Sequence, residues 1–120
     1  MNRKPLYIAL VLSAALLAAH LYALSTYFYW HHRWFDIPMH ILGGIAIGSF
    51  LLAFFSVKRA WLYFAAMLSI TVLWEVFEYY AGISRGQPDY WFDTIKDIAD
   101  GMIGASITFI TAKNFSCRCD

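Results

Sequence analysis

The run of residues 37–57 reads IPMHILGGIAIGSFLLAFFSV, and His40, Ser49 and Ser56 are its strongly polar side chains. An α-helix rises about 1.5 Å per residue, so about 20 apolar residues are needed to cross the hydrocarbon core of a bilayer. This run has that length and that composition. It therefore predicts a membrane-spanning helix.

Three other runs have a similar length, and they lie at residues 6–27, 60–80 and 91–112. The last is the least hydrophobic, because acidic residues occupy its first turns. Together the four runs predict an all-α, polytopic membrane protein, a four-transmembrane-helix bundle that forms one domain over residues 1–120. Arg3 and Lys4 precede the first run as in a signal peptide, but its length and the poor cleavage motif at residues 21–23 favour a retained helix.

The composition argues against a soluble domain. Hydrophobic residues make up 61% and charged residues 14% of the chain, against about 45–50% and about 25% in soluble domains. The net charge is +1 and there is no run of basic residues, so we expect membrane lipids as partners, a homo-oligomer as an alternative assembly, and no nucleic acid. Cys117 and Cys119 form a C-x-C pair, which alone is a weak indication of a metal site.

The basic residues predict the orientation, because the cytoplasmic flanks of membrane helices are enriched in lysine and arginine. The larger set, on one side of the predicted bundle, is Arg3, Lys4, Lys58, Arg59, Lys113 and Arg118, and the smaller set is Arg33, Arg85 and Lys96. We therefore expect a multi-pass protein of a bacterial cytoplasmic (inner) membrane with both termini in the cytoplasm.

Acidic residues gather at the predicted outer ends of the last three helices. On the third and fourth helices the acids are spaced three or four residues apart, and on the second helix Asp36 and His40 are four apart, which places each set on one face. Six of the eight acidic residues belong to this group, and a histidine on the second helix is spaced to join it. The hypothesised metal or polar site consists of Asp36, His40, Glu75, Glu78, Asp93, Asp97 and Asp100, with His20 of the first helix as an additional candidate.

Charged side chains inside a bilayer cost several kcal/mol unless they pair, bind a cation or become protonated. Three chemistries fit the site: a divalent metal ion held by carboxylates and imidazole, a proton or cation relay, and recognition of a lipid headgroup. The alternative is that the acids pair with basic residues at wet helix ends. That alternative accounts for Asp36 and Asp93 better than for the deeper Glu75, Asp97 and Asp100.

These options predict a membrane protein whose outward-facing site binds a divalent cation or an envelope lipid headgroup. The first alternative is a metal-dependent hydrolase or transferase acting on lipid, in which the metal activates water. The second is proton or cation transport by an oligomer. The cytoplasmic half of the last helix offers only Thr108 and Thr111 on its polar stripe, which argues against transport by a monomer.

Small residues predict close packing between the second and fourth helices, because they let two backbones approach. The residues concerned are Gly43, Gly44, Gly48, Gly101, Gly104 and Ala105. A close contact between these helices would bring His40 near Asp97.

The motifs resemble those of bacterial YjdF-like membrane proteins and, more distantly, those of the VanZ-like family. The resemblance spans residues 35–105 and implies a multi-helix membrane protein. It rests on the Asp36-to-His40 pair followed by Gly43-Gly44, on Trp74-Glu75-x-x-Glu78, and on Asp93-Thr94-x-x-Asp97 leading to Gly104-Ala105. The VanZ-like family is associated with glycopeptide resistance, and neither family implies a particular reaction here.

Overall fold

Four long helices and one short helix make up the chain in the residues that the computed structural model describes, 3–54, 59–82 and 88–117. They are α1 (Arg3–Ser25), α2 (Phe28–His31), α3 (Asp36–Phe54), α4 (Ala60–Ala81) and α5 (Tyr90–Cys117). A 3-10 turn at Arg33–Phe35 leads directly into α3. These described residues contain no β-strand, so the predicted all-α fold is confirmed.

Three segments are long and apolar enough to cross a membrane: α1, the segment Arg33–Phe54 that contains α3, and α4. This finding agrees with the prediction of a membrane protein. Within the described part of the chain, α5 is not among these segments. The reason lies in its first half, which carries Asp93, Lys96, Asp97 and Asp100.

The helix ends differ from the predicted ones for local reasons. α1 ends at Ser25, and two residues later Tyr27 adopts a left-handed φ of 54°, which takes the chain out of the helical conformation. α4 ends where Gly82 takes a φ of 78°, a conformation that glycine adopts without steric cost.

α5 continues to Cys117, past its predicted end at residue 112, because no glycine or proline interrupts it there. Four of the residues named in the sequence analysis, Lys58, Arg85, Arg118 and Cys119, lie outside the described residues.

The centre of the fold is the contact between α3 and α5. A Cβ atom on Gly44 would overlap the carbonyl oxygen of Gly101, and one on Gly104 would overlap the carbonyl oxygen of Ile41. The two backbones therefore touch, as the small residues predict. Gly43 is different, since a Cβ there would meet nothing within 4 Å, so its assignment to this contact was wrong.

Tyr63 of α4 contacts both α3 and α5, at a distance from the first turns of these two helices. Its side chain is fully buried, and its hydroxyl donates to the carbonyl oxygen of Ala105 at 2.8 Å. Leu51, Leu52 and Met67 complete this apolar cluster. The charged first turns of α3 and α5 are therefore followed, along the same helices, by an apolar cluster, and none of the described members of this cluster is charged.

Gly44→Ala should lower the stability of the protein by about 1–3 kcal/mol, because the added methyl group forces two touching backbones apart. The measurement is thermal unfolding in detergent micelles, followed by circular dichroism. Gly43→Ala is the matched control on the same helix, where open space accepts the methyl group. Equal melting temperatures for the two variants would contradict the backbone contact.

Candidate functional site

The site lies where α3 and α5 begin side by side. Asp36 is the first residue of α3 and His40 lies one turn further along, while Pro38 occupies the first turn, where its missing N–H costs no hydrogen bond. Asp93 and Asp97 occupy the corresponding turns of α5. The contact between the two helices at Gly44 and Gly104 holds them in register, so Asp36 and His40 of α3 face Asp97 of α5.

Lys96 supplies the cation at the centre of this group. Its Nζ is 3.3 Å from Asp36 Oδ2 and 3.2 Å from Asp93 Oδ1, and it also donates to Asp97 Oδ1. Asp97 is only 4% exposed. One ammonium group is therefore shared by three carboxylates from two helices.

His40 lies on the opposite edge of the same carboxylates. Its Nε2 is 3.4 Å from Asp36 Oδ1 and 3.7 Å from Asp97 Oδ2. Both distances exceed the usual range of an N–H···O hydrogen bond, about 2.7–3.2 Å. Each of the two aspartates thus turns one oxygen toward Lys96 and the other toward His40.

α4 adds two glutamates around this centre. Glu75 is 6% exposed, and its carboxylate interacts with the side chain of Thr94 and with the charges of Asp97 and His40. Glu78 accepts a hydrogen bond of 2.8 Å from the indole N–H of Trp74. It also acts electrostatically on His40.

Asp100 lies one turn beyond Asp97 on α5 and is 8% exposed. Its Oδ2 is buried and has no hydrogen-bond partner among the described residues. It is not part of the set of ligand atoms that converge around His40. The predicted site residues therefore fall into three sets. The converged group is Asp36, His40 and Asp97; Glu75, Glu78 and Asp93 lie around it; and Asp100 lies apart from it.

His20 reaches the site only through Tyr29. Its Nδ1 is 2.9 Å from the Tyr29 hydroxyl oxygen. Burial, together with the negative charges of Asp36 and Glu78, raises the pKa of Tyr29 to about 12. Tyr29 was not among the predicted site residues, because its sequence neighbours mark it only as one of several aromatic residues at a helix end.

Lys96 was likewise predicted only as a partner that could neutralise surface acids. The structure bears out that pairing for Asp36 and Asp93, and extends it to the buried Asp97. The signal in the sequence was its position between two aspartates, three residues after Asp93 and next to Asp97. That spacing alone does not predict which of the neighbouring carboxylates the ammonium group contacts.

The converged group has the dimensions of a small metal site. Within the described residues, Asp36, His40 and Asp97 form the one group of three or more ligand side chains whose ligand atoms all lie within 4.8 Å of one another. Ligand atoms bound at about 2.1 Å in a tetrahedral site are about 3.4 Å apart. The two imidazole-to-carboxylate distances, 3.4 and 3.7 Å, are close to that separation.

The fold and the site define a membrane protein of several helices with a carboxylate, histidine and lysine cluster at one end. No family model, curated protein or solved structure matches the chain. The resemblance to YjdF-like and VanZ-like proteins accordingly stays a prediction from the motifs.

Asp97→Leu should destabilise the protein by about 1.5–3 kcal/mol, because it removes a buried carboxylate that accepts a charge-assisted hydrogen bond from Lys96. Asp100→Leu, the same substitution one turn further along, should leave stability unchanged or raise it, because it removes a buried oxygen that lacks a donor. Denaturant unfolding in detergent compares the two variants. A loss of stability for Asp100→Leu as large as that for Asp97→Leu would show that Asp100 has a partner of equal importance.

Proposed function

We propose that this protein is a multi-pass protein of a bacterial cytoplasmic membrane that binds a divalent metal ion through Asp36, His40 and Asp97. The observation that carries the proposal is the convergence of two carboxylate oxygens and one imidazole nitrogen from two helices, at separations suited to a single small ion. Carboxylate and imidazole ligands together suit zinc, manganese and iron.

A lipid headgroup is the competing ligand. A headgroup makes contacts over a larger surface, so it does not require three ligand atoms to converge on one point. An ion does require this. The convergence therefore favours the ion, and the same ion would also serve a lipid hydrolase or transferase by activating water.

The proposed topology includes α5 as a fourth membrane crossing. With 28 residues the helix is about 42 Å long, compared with about 30 Å for the hydrocarbon core. Its acidic residues are turned toward α3, α4 and Lys96, and the exposed side chains of its first half include Trp91, Phe92 and Ile95. This distribution is compatible with a helix that has lipid on its outer face.

Metal binding is the direct test of the proposed function. Purified protein in detergent should take up about one Zn²⁺ or Mn²⁺ per chain by elemental analysis after dialysis. At a free ion concentration of 100 times Kd the ion should stabilise the fold by about 2.7 kcal/mol. His40→Gln and Asp97→Asn should lose both effects, because the first removes the ligand nitrogen and the second replaces a charged oxygen ligand with a neutral amide.

Asp89→Asn is the control for this experiment, since Asp89 is exposed and precedes α5. It should bind metal like the unchanged protein. Equal uptake by all four proteins would place the ion elsewhere. If no metal is bound but lipid is retained in native mass spectrometry, and this retention depends on Asp97, the headgroup hypothesis would replace the proposal.

The proposed orientation predicts the behaviour of reporter fusions. Alkaline phosphatase fused after residue 120 should be inactive, because the enzyme needs the oxidising space outside the cytoplasm, and green fluorescent protein at the same position should fluoresce. Phosphatase inserted after Gly82 should be active. The opposite pattern would show that the site faces the cytoplasm, and the orientation predicted from the basic residues would then be wrong.

A further inference from the structure

The four carboxylate oxygens of Asp36 and Asp97 are divided between two basic residues. Asp36 Oδ2 and Asp97 Oδ1 face the ammonium group of Lys96. Asp36 Oδ1 and Asp97 Oδ2 face the imidazole of His40. Neither carboxylate therefore has both oxygens free for an ion on the side of His40.

We propose that Lys96 determines which metal the site accepts, by holding both aspartates as one-oxygen ligands and so selecting a small first-row transition ion over Ca²⁺. This inference rests on the proposed function and names the class of its ligand. The lysine does not bind the ion, so its role is that of a positioning residue.

The requirements of the ions explain the selection. Ca²⁺ takes six to eight oxygen ligands at about 2.3–2.6 Å and commonly uses both oxygens of a carboxylate. With Lys96 in place, the converged group offers two oxygens and one nitrogen. Three such ligands with a water molecule complete the four-coordinate geometry of zinc.

The charge of Lys96 repels every divalent ion, and this loss of affinity matters most for an ion that binds through charged oxygens alone. The two aspartates carry two negative charges, and the ammonium group offsets one of them. The affinity of a hard ion such as Ca²⁺ depends on the number of charged oxygen ligands. Zinc also gains from the imidazole nitrogen of His40, and this gain is independent of the lysine.

Asp93 holds Lys96 in position. Its Oδ1 is 3.2 Å from Nζ, and it lies three residues before Lys96 on the same helix. This third carboxylate is not among the converged ligand atoms. An ion beside His40 therefore leaves Lys96 in contact with three carboxylates, and these contacts oppose the repulsion between the ion and the ammonium group.

The test compares dissociation constants for Zn²⁺ and Ca²⁺ in the unchanged protein, in Lys96→Met and in Lys113→Met. Lys113 is exposed on the last part of α5 and serves as the matched control. In Lys96→Met we expect the preference for Zn²⁺ over Ca²⁺ to fall at least about tenfold, because partners that orient metal ligands commonly affect affinity by about 10–100-fold. Lys113→Met should keep the original preference.

A spectroscopic measurement on the unchanged protein does not depend on the stability of any variant. Co²⁺ in a four-coordinate site absorbs visible light strongly, whereas six-coordinate Co²⁺ absorbs weakly. Because Lys96 restricts each aspartate to one oxygen, we expect the strong spectrum.

The outcomes separate the two proposals. Metal uptake with an unchanged Zn²⁺ preference in Lys96→Met, or with a weak six-coordinate Co²⁺ spectrum, would overturn the role of Lys96 and leave the metal site standing. Failure of the unchanged protein to bind any of these ions would overturn the proposed function and this inference with it.

Discussion

The backbone contact between α3 and α5 is the constraint on which the site depends. Helices in proteins usually pack with their axes about 8–10 Å apart, and small residues at the contact allow a closer approach. Gly44 against Gly101 and Gly104 against Ile41 make such an approach here. Because both helices run in the same direction from this end, their first turns stand side by side, and His40 comes within 3.7 Å of Asp97.

The charges at this end are not needed to hold the helices together. The apolar cluster around Tyr63 and Met67 already joins α4 to its neighbours. A buried ion pair commonly contributes no more stability than apolar side chains of the same size, because both charges must first lose their hydration. A protein with leucine in place of both Asp97 and Lys96 would therefore be about as stable as the unchanged protein. The presence of these charged residues therefore supports the binding function that we propose.

The sequence was sufficient for three of the long apolar helices and for the meeting of His40 with Asp97. Apolar length predicted α1, α3 and α4, and the glycine pattern predicted that His40 and Asp97 would meet, which is confirmed. The geometry inside the group was not predictable in the same way. Helical spacing places Asp97 and Asp100 on similar faces, but packing joins one to Lys96 and leaves an oxygen of the other without a donor. Those differences depend on distances of a few ångströms, which a pattern of residue types does not contain.

The two basic residues of the site have different chemistry, and this difference argues for an ion. Lysine carries a compact, strongly hydrated charge that can neutralise several carboxylates at once, and Lys96 does so for three. A second lysine would extend that neutralisation, but the other edge of Asp36 and Asp97 carries His40 instead. A neutral imidazole can offer its nitrogen lone pair to a metal, and an ammonium group cannot. Neutralisation on one edge and a ligand nitrogen on the other are compatible with the small cation that we propose for this site.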